Sequence, residues 1–124
     1  VIITVDAGNL WRADQAGLLA SVDSETLNAA IPENLRDPEG KWFGLATRAR
    51  VIIYNKETVS PEELSTYEDL ASETWQGRLC IRSSTNIYNQ SLLASIIASN
   101  GEEAAEAWAQ GIVSNMAREP EGGD

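Results

Sequence analysis

Hydrophobic residues along this chain fall into short apolar runs that are separated by stretches with helical spacing. Val1 to Val5 is a near-continuous apolar run, which is typical of a strand buried in a parallel sheet. The stretch from Trp42 to Tyr54 predicts one long bent strand or two short ones, and "QGRLCIR" predicts a further strand. We expect Cys80, in the middle of that last strand, to be a buried thiol.

The polar stretches contain several signals for the start and end of helices. Ser24 and Ser60 are good N-cap residues, and Ser60 is followed by proline and then by glutamate at the spacing of a capping box. Five helices are predicted. The first ends near Gly17, and the second runs from Ser24 to Pro32. The third begins at Ser60, the fourth runs from Tyr88 to Ser99, and the fifth begins after Gly101.

The alternation of strands and helices predicts an α/β fold. The chain passes from one α/β unit to another within the long β segment, so we divide it into residues 1–46, a crossing strand at 47–55, and residues 56–124. Because the first residues already lie in a strand pattern, we expect the chain to be an internal segment of a longer protein.

The charge balance and the absence of histidine narrow the function. The 19 acidic residues outnumber the 9 basic ones, and the formal net charge is −10. This argues against nucleic acid and anionic membrane surfaces as partners, since both attract a surplus of Lys and Arg. No apolar run approaches the roughly 20 residues that span a bilayer. Without histidine, the Ser-His-Asp template and imidazole zinc sites are excluded.

The junction from Arg82 to Gln90 is a first candidate site. It leads from a predicted strand into a predicted helix, and Ser84 and Asn86 supply short polar side chains there. A helix N-terminus carries free N–H groups and partial positive charge, and open α/β sheets bind ligands at such junctions. The same residues also serve as ordinary helix caps, and the local sequence leaves both readings open.

Arg48 and Arg50 form a second candidate site. In an extended chain they lie on one face, because side chains alternate with a period of two. The planar guanidinium forks suit an anion, but pairing with some of the many acids is an equal alternative.

Tyr88 is a third candidate, at the start of a predicted helix. A neutral phenol, with a pKa of about 10, is a poor ligand. A hard and highly charged cation displaces its proton, and the helix N-terminus stabilises the resulting anion. Packing of the ring with an exposed hydroxyl is the alternative.

Four stretches, spread over the chain between residues 3 and 111, resemble one family. They are "ITVDAGNLWRADQAGLL", "NLRDPEGKWFGLATRARVIIYNK", "LSTYEDLASETWQGRLCIRSSTNIYNQSLLAS" and "GEEAAEAWAQG". Together they resemble the ferric-iron-binding periplasmic solute-binding proteins of bacterial ABC importers. The resemblance implies a partial two-lobed, class II periplasmic binding-protein fold, with 47–55 as the hinge crossing.

The resemblance also implies site residues. Such proteins hold Fe3+ mainly through tyrosine phenolates, with carbonate or another small synergistic anion, and the tyrosine of "NIYNQ" is Tyr88. The "RAR" strand implies an anion-binding role for Arg48 and Arg50, which Ser84 and Asn86 would share. Two further residues, Asp6 and Asn89, would line the cleft. The family's tandem tyrosine pair and its N-terminal strand–helix unit are not in this chain.

A protein of this family would deliver ferric iron to an ABC importer permease and would not be an enzyme. Its expected location is the periplasm, or the cell exterior with a lipid anchor in a Gram-positive organism. The alternative is a solute-binding protein of the same fold for another small ligand, such as a carboxylate, a phosphonate or a polyamine.

Overall fold

The computed structural model describes residues 1–121, and the chain divides into two compact units, Val1–Arg50 and Val51–Asp124. The division falls within the segment 47–55. That this segment acts as a hinge stays a prediction.

The first unit contains two α-helices; the sequence predicts the start of the second at Ser24, but for the first it predicts only an end near Gly17. Helix α1 spans Ala7–Gln15, and Asp6 caps it by accepting a hydrogen bond from the Gly8 N–H. Helix α2 spans Glu25–Ala30, and the Ser24 side chain accepts from the Leu27 N–H. A short 3-10 helix, Glu33–Leu35, follows the proline that ends α2. Short polar acceptors at these N-caps satisfy backbone N–H groups that the first helical turn leaves free.

A tight turn follows that 3-10 helix and requires glycine. Asp37 accepts from the N–H groups of Glu39 and Lys41, and its own N–H donates to the Trp42 carbonyl at 3.0 Å. Gly40 has φ +72°, and a Cβ there would lie 2.7 Å from the Val22 carbonyl oxygen. Only glycine adopts this backbone at no steric cost and leaves that space open.

Lys41 ties this turn to α1. Its ammonium lies 2.8 Å from a Glu39 carboxylate oxygen and 2.9 Å from one of Asp14. The hydrogen bonds to Glu39 and then to Asp14 raise the pKa of Lys41 above its usual value.

The second unit contains, within residues 51–121, two long helices and three short ones. Helix α3 spans Ile87–Asn100 and helix α4 spans Glu102–Ser114, with Gly101 between them at φ +85°. The 3-10 helices span Pro61–Glu63, Glu68–Ala71 and Glu73–Trp75. The predicted starts at Ser60 and after Gly101 are confirmed.

The Glu63 half of the predicted capping box forms at the first of these short helices. The Ser60 N–H donates to Glu63 at 2.8 Å. That bond and then the nearby Arg78 guanidinium lower the pKa of Glu63. Arg78 also lies over the buried Trp75 ring, 4.7 Å from its centroid, so one arginine joins two short helices of this unit.

The core of the second unit lies where α4 packs against α3 and the 3-10 helix Glu68–Ala71. Ile96, Ala105 and Ile112 are buried there. Gly111 allows the closest approach, because a Cβ at that position would lie 2.7 Å from the Ala71 Cβ. Trp108 adds a hydrogen bond from its indole N–H to the Tyr67 carbonyl at 2.7 Å.

Asn115, at the end of α4, is the one polar residue within residues 1–121 that is buried as a whole, backbone included. Its amide donates to the carbonyls of Leu70 at 2.9 Å and Ser72 at 2.7 Å. Its backbone carbonyl accepts from the Leu79 N–H at 3.0 Å. Asn115 therefore joins three segments that are distant in sequence.

The predicted strands do not form a sheet among the described residues. Residues 1–121 contain only isolated bridges, which pair Arg36 with Phe43, Leu79 with Met116, and Arg82 with Glu121. A strand needs a neighbour to hydrogen-bond with, and among the described residues none runs beside Val1–Val5 or residues 45–54. Alternation in sequence predicts an extended backbone but not its partner. The apolar side chains of these segments, such as Ile3 and Ile53, are accordingly exposed.

The prediction of a buried Cys80 is wrong, because this residue is exposed. The backbone of its neighbour Leu79 pairs with the end of α4, but Cys80 itself lies on the uncovered side of that segment. None of the helices in the described part of the chain is long and apolar enough to cross a membrane.

We predict that Asn115→Ala lowers the free energy of unfolding by about 2 kcal/mol, because the carbonyls of Leu70 and Ser72 lose their part-buried donor. Urea unfolding of the purified chain measures this. Asn100→Ala is the matched control, since the exposed Asn100 amide donates to Glu68 and should contribute less than about 0.5 kcal/mol. Equal losses in the two variants would contradict the role of Asn115.

Candidate functional site: the start of helix α3

The loop before α3 is built from polar side chains that bond to one another. The hydroxyls of Ser83 and Thr85 lie 2.9 Å apart, and the Asn86 N–H donates to the Ser83 carbonyl at 3.0 Å. Ser84 is exposed between them. These contacts turn the backbone from the preceding extended segment into the helix.

Asn86 is the N-cap residue of α3. Its backbone is extended, and its side-chain oxygen accepts from the Tyr88 N–H at 2.9 Å. The cap reading that the sequence left open for Asn86 is therefore confirmed. An N-cap does not exclude ligand binding nearby, because the other free N–H groups of the first turn keep their partial positive charge.

Two amide side chains from the first turn of α3 hold the loop from the other side. Asn89 donates to the Arg82 carbonyl at 2.6 Å and to the Ser83 carbonyl at 3.4 Å. Gln90 donates to the Ser84 carbonyl at 3.2 Å. The first turn of α3 and its loop thus form one hydrogen-bonded structure.

Tyr88 is the second residue of α3 and is half-buried. Its backbone is fixed by the Asn86 cap, and the guanidinium carbon of Arg82 lies 5.9 Å from its ring centroid. The tyrosine is therefore held at the electropositive end of the helix with a cation over its ring.

Arg82 is a residue that the sequence did not single out. The only sequence signal was its place as the last residue of the "QGRLCIR" run, directly before the polar cluster. Its contact with Tyr88 depends on how the loop turns back, and side-chain periodicity does not predict that.

The first unit contains a second set of predicted residues. Asp6 has φ +72°, a conformation that is unusual for any residue other than glycine. Its side chain is 5% exposed, and it accepts from the Gly8 N–H at 3.0 Å and from an Arg50 Nη2 at 2.8 Å. The pair holds Arg50 against the start of α1. Arg48, two residues earlier, is exposed.

The structure thus brings together two groups of predicted residues, each within its own unit. Asp6 and Arg50 are in contact in the first unit. Ser84, Asn86, Tyr88 and Asn89 share the start of α3 in the second. Across the described residues, no group of three or more Cys, Asp or Glu side chains is arranged to hold a metal ion.

Residues 1–120 match the family model described as "Bacterial extracellular solute-binding protein", and the chain belongs to that family. It is 58% identical, over all 124 residues, to Iron uptake protein A1 of a Synechocystis strain, of which it covers 34%. The chain therefore spans about a third of that relative's length.

Two solved structures resemble the chain closely. One is described as Trichodesmium IdiA (FutA) in complex with iron and citrate, with a TM-score of 0.91 and 61% identity over 96% of this chain. The other is the ferric binding protein from Campylobacter jejuni, with a TM-score of 0.90 and 45% identity over 96% of this chain. The match covers 38% of each of those chains. The predicted fold, a partial class II periplasmic binding protein, is confirmed.

We predict that Asp6→Asn lowers the free energy of unfolding by about 2 kcal/mol, because Arg50 loses a largely buried partner. Asp6→Ala should cost about 1 kcal/mol more, since it also removes the cap of α1 and a side chain suited to positive φ. Urea unfolding of the purified chain measures both variants.

The control is Arg118→Gln, which removes an exposed ion pair with Glu121 and should change the stability by less than about 1 kcal/mol. If the two Asp6 variants lost no more free energy of unfolding than the control, the contact with Arg50 would not contribute to stability.

Proposed function

We propose that the full-length protein carrying this chain captures ferric iron for uptake, with Tyr88 as one iron ligand. The observation that carries the proposal is the position of Tyr88, at the capped start of α3 beside a cation, in a chain of a solute-binding family. The names of its relatives, an iron uptake protein and a ferric binding protein, support iron as the solute.

The chemistry of the described residues suits this ion. Fe3+ is hard and highly charged, so it favours oxygen ligands, and the lack of histidine is no obstacle to an all-oxygen site. Binding requires the phenol to lose its proton, and the positive end of α3 stabilises the anion that forms. The electrostatics at Tyr88 therefore favour its metal-bound form.

We propose anion-binding roles for Arg48 and Arg50 in the first unit, and for Ser84 and Asn86 in the second. Arginine presents five N–H donors on a planar, fork-shaped guanidinium. One nitrogen of the Arg50 guanidinium contacts Asp6, and this contact orients the guanidinium plane. Carbonate or another small carboxylate-like anion fits such a fork. We propose cleft-lining roles for Asp6, which orients Arg50 in the first unit, and for Asn89, which holds the loop before α3 in the second.

The proposed protein is a receptor without turnover. It would work in the periplasm and pass iron to the permease of an ABC importer. Hinge motion about residues 47–55 would couple iron capture to closure.

We predict that Tyr88→Phe in the full-length protein weakens Fe3+ binding by roughly a hundredfold. Loss of a residue that merely hydrogen-bonds to a metal ligand already costs about tenfold to a hundredfold in affinity. It should also change the phenolate-to-iron charge-transfer colour. Titration with ferric citrate, followed by visible absorption, measures both effects.

Tyr67→Phe is the matched control and should leave affinity and colour unchanged. Tyr67 is also half-buried in the second unit, but it lies at a 3-10 helix that packs on α4. Unchanged affinity and colour in Tyr88→Phe would rule out Tyr88 as a ligand. A wild-type protein that ignored Fe3+ and bound a carboxylate, phosphonate or polyamine would instead support the alternative solute.

A further inference from the structure

Arg82 and Tyr88 form a contact between a cation and an aromatic ring at the start of α3. The distance from the guanidinium carbon to the ring centroid is 5.9 Å, within the roughly 6 Å over which a cation is attracted to a ring face. Arg82 is half-buried, and its Nε atom is buried. The charge is therefore partly shielded from water.

The fold fixes both partners of this contact. The Arg82 carbonyl accepts from Asn89 at 2.6 Å, and the Arg82 backbone also bridges to Glu121. The next residue, Ser83, donates its N–H to the Glu121 carbonyl at 3.1 Å. The backbone of Tyr88, which directly precedes Asn89, is fixed by the Asn86 cap. Hydrogen bonds thus fix the backbone of both partners.

The surroundings of Arg82 also include a largely apolar cavity. Arg82 lines a cavity of about 210 Å3 together with apolar side chains from α3 and α4, among them Leu92, Leu93 and Ile112. A charge beside apolar walls is screened less than one in water, so its field at the ring is stronger.

We infer that Arg82 is a positioning residue that holds the Tyr88 ring and stabilises its negative charge when Tyr88 binds iron. This inference rests on the proposed function. Because the guanidinium lies over the ring, we expect it to lower the energy of the phenolate electrons from which the charge-transfer transition starts. The charge-transfer band then lies at shorter wavelength than it would without Arg82.

The experiment compares full-length proteins loaded with ferric citrate. Arg82→Gln and Arg82→Met both remove the charge. Arg82→Met also keeps the apolar stem of the side chain, so it serves as the neutral variant if the Arg82→Gln protein does not fold. Arg82→Lys keeps the charge. Arg78→Gln is the matched control, because Arg78 also lies over an aromatic ring in the same segment, but that ring is Trp75. Near-ultraviolet circular dichroism shows which variants are folded.

We expect the folded neutral variants to shift the charge-transfer band to longer wavelength and to weaken iron binding about threefold to thirtyfold. Arg82→Lys should stay near wild type in both respects, and Arg78→Gln should match wild type. A purely structural role for Arg82 would change stability without moving the band.

Three results would overturn the inference while leaving iron binding through Tyr88 intact. In the first, the charge-transfer band keeps its wavelength in the neutral Arg82 variants, although Tyr88→Phe changes it. Arg82→Lys could shift the band as far as Arg82→Gln does, or the Arg78 control could shift it equally. If the wild type showed no charge-transfer band at all, the proposed function itself would fail, and the inference with it.

Discussion

The hydrogen bonds between the first turn of α3 and the loop before it are the constraint on which the candidate site depends. Asn86 caps the helix through the Tyr88 N–H, and Asn89 holds the carbonyl of Arg82. These bonds place a tyrosine at the positive end of a helix and an arginine over its ring. Without them, the same residues would be an ordinary polar loop.

The local elements were largely predictable from sequence, because their signals lie within a few residues of each other. Ser24 and Ser60 mark helix starts, and the helix that contains Tyr88 was predicted to within a residue of its ends. The strand pairing was not predictable, since alternation shows that a backbone is extended but not what lies beside it. Cys80 was misplaced for the same reason: its burial depended on a neighbour that the described chain does not provide.

The side-chain contacts that join distant residues were also beyond the sequence. Asn115 bonds to Leu70 and Ser72, more than forty positions away, and nothing in its own surroundings predicts this. Asp6 and Arg50 are separated by 44 positions, and pairing of the arginine with an acid was only one of two open readings. Arg82 was overlooked because its importance comes from the way the loop folds back over Tyr88.

The proposed function follows from combining this geometry with membership of a solute-binding family. The central claim is that Tyr88 coordinates ferric iron. A crystal structure of the full-length protein loaded with Fe3+ tests it most directly. The account predicts the Tyr88 hydroxyl oxygen at bonding distance from the iron, with the Arg82 guanidinium over the ring. Iron bound elsewhere, with the Tyr88 hydroxyl turned away from it, would contradict the account.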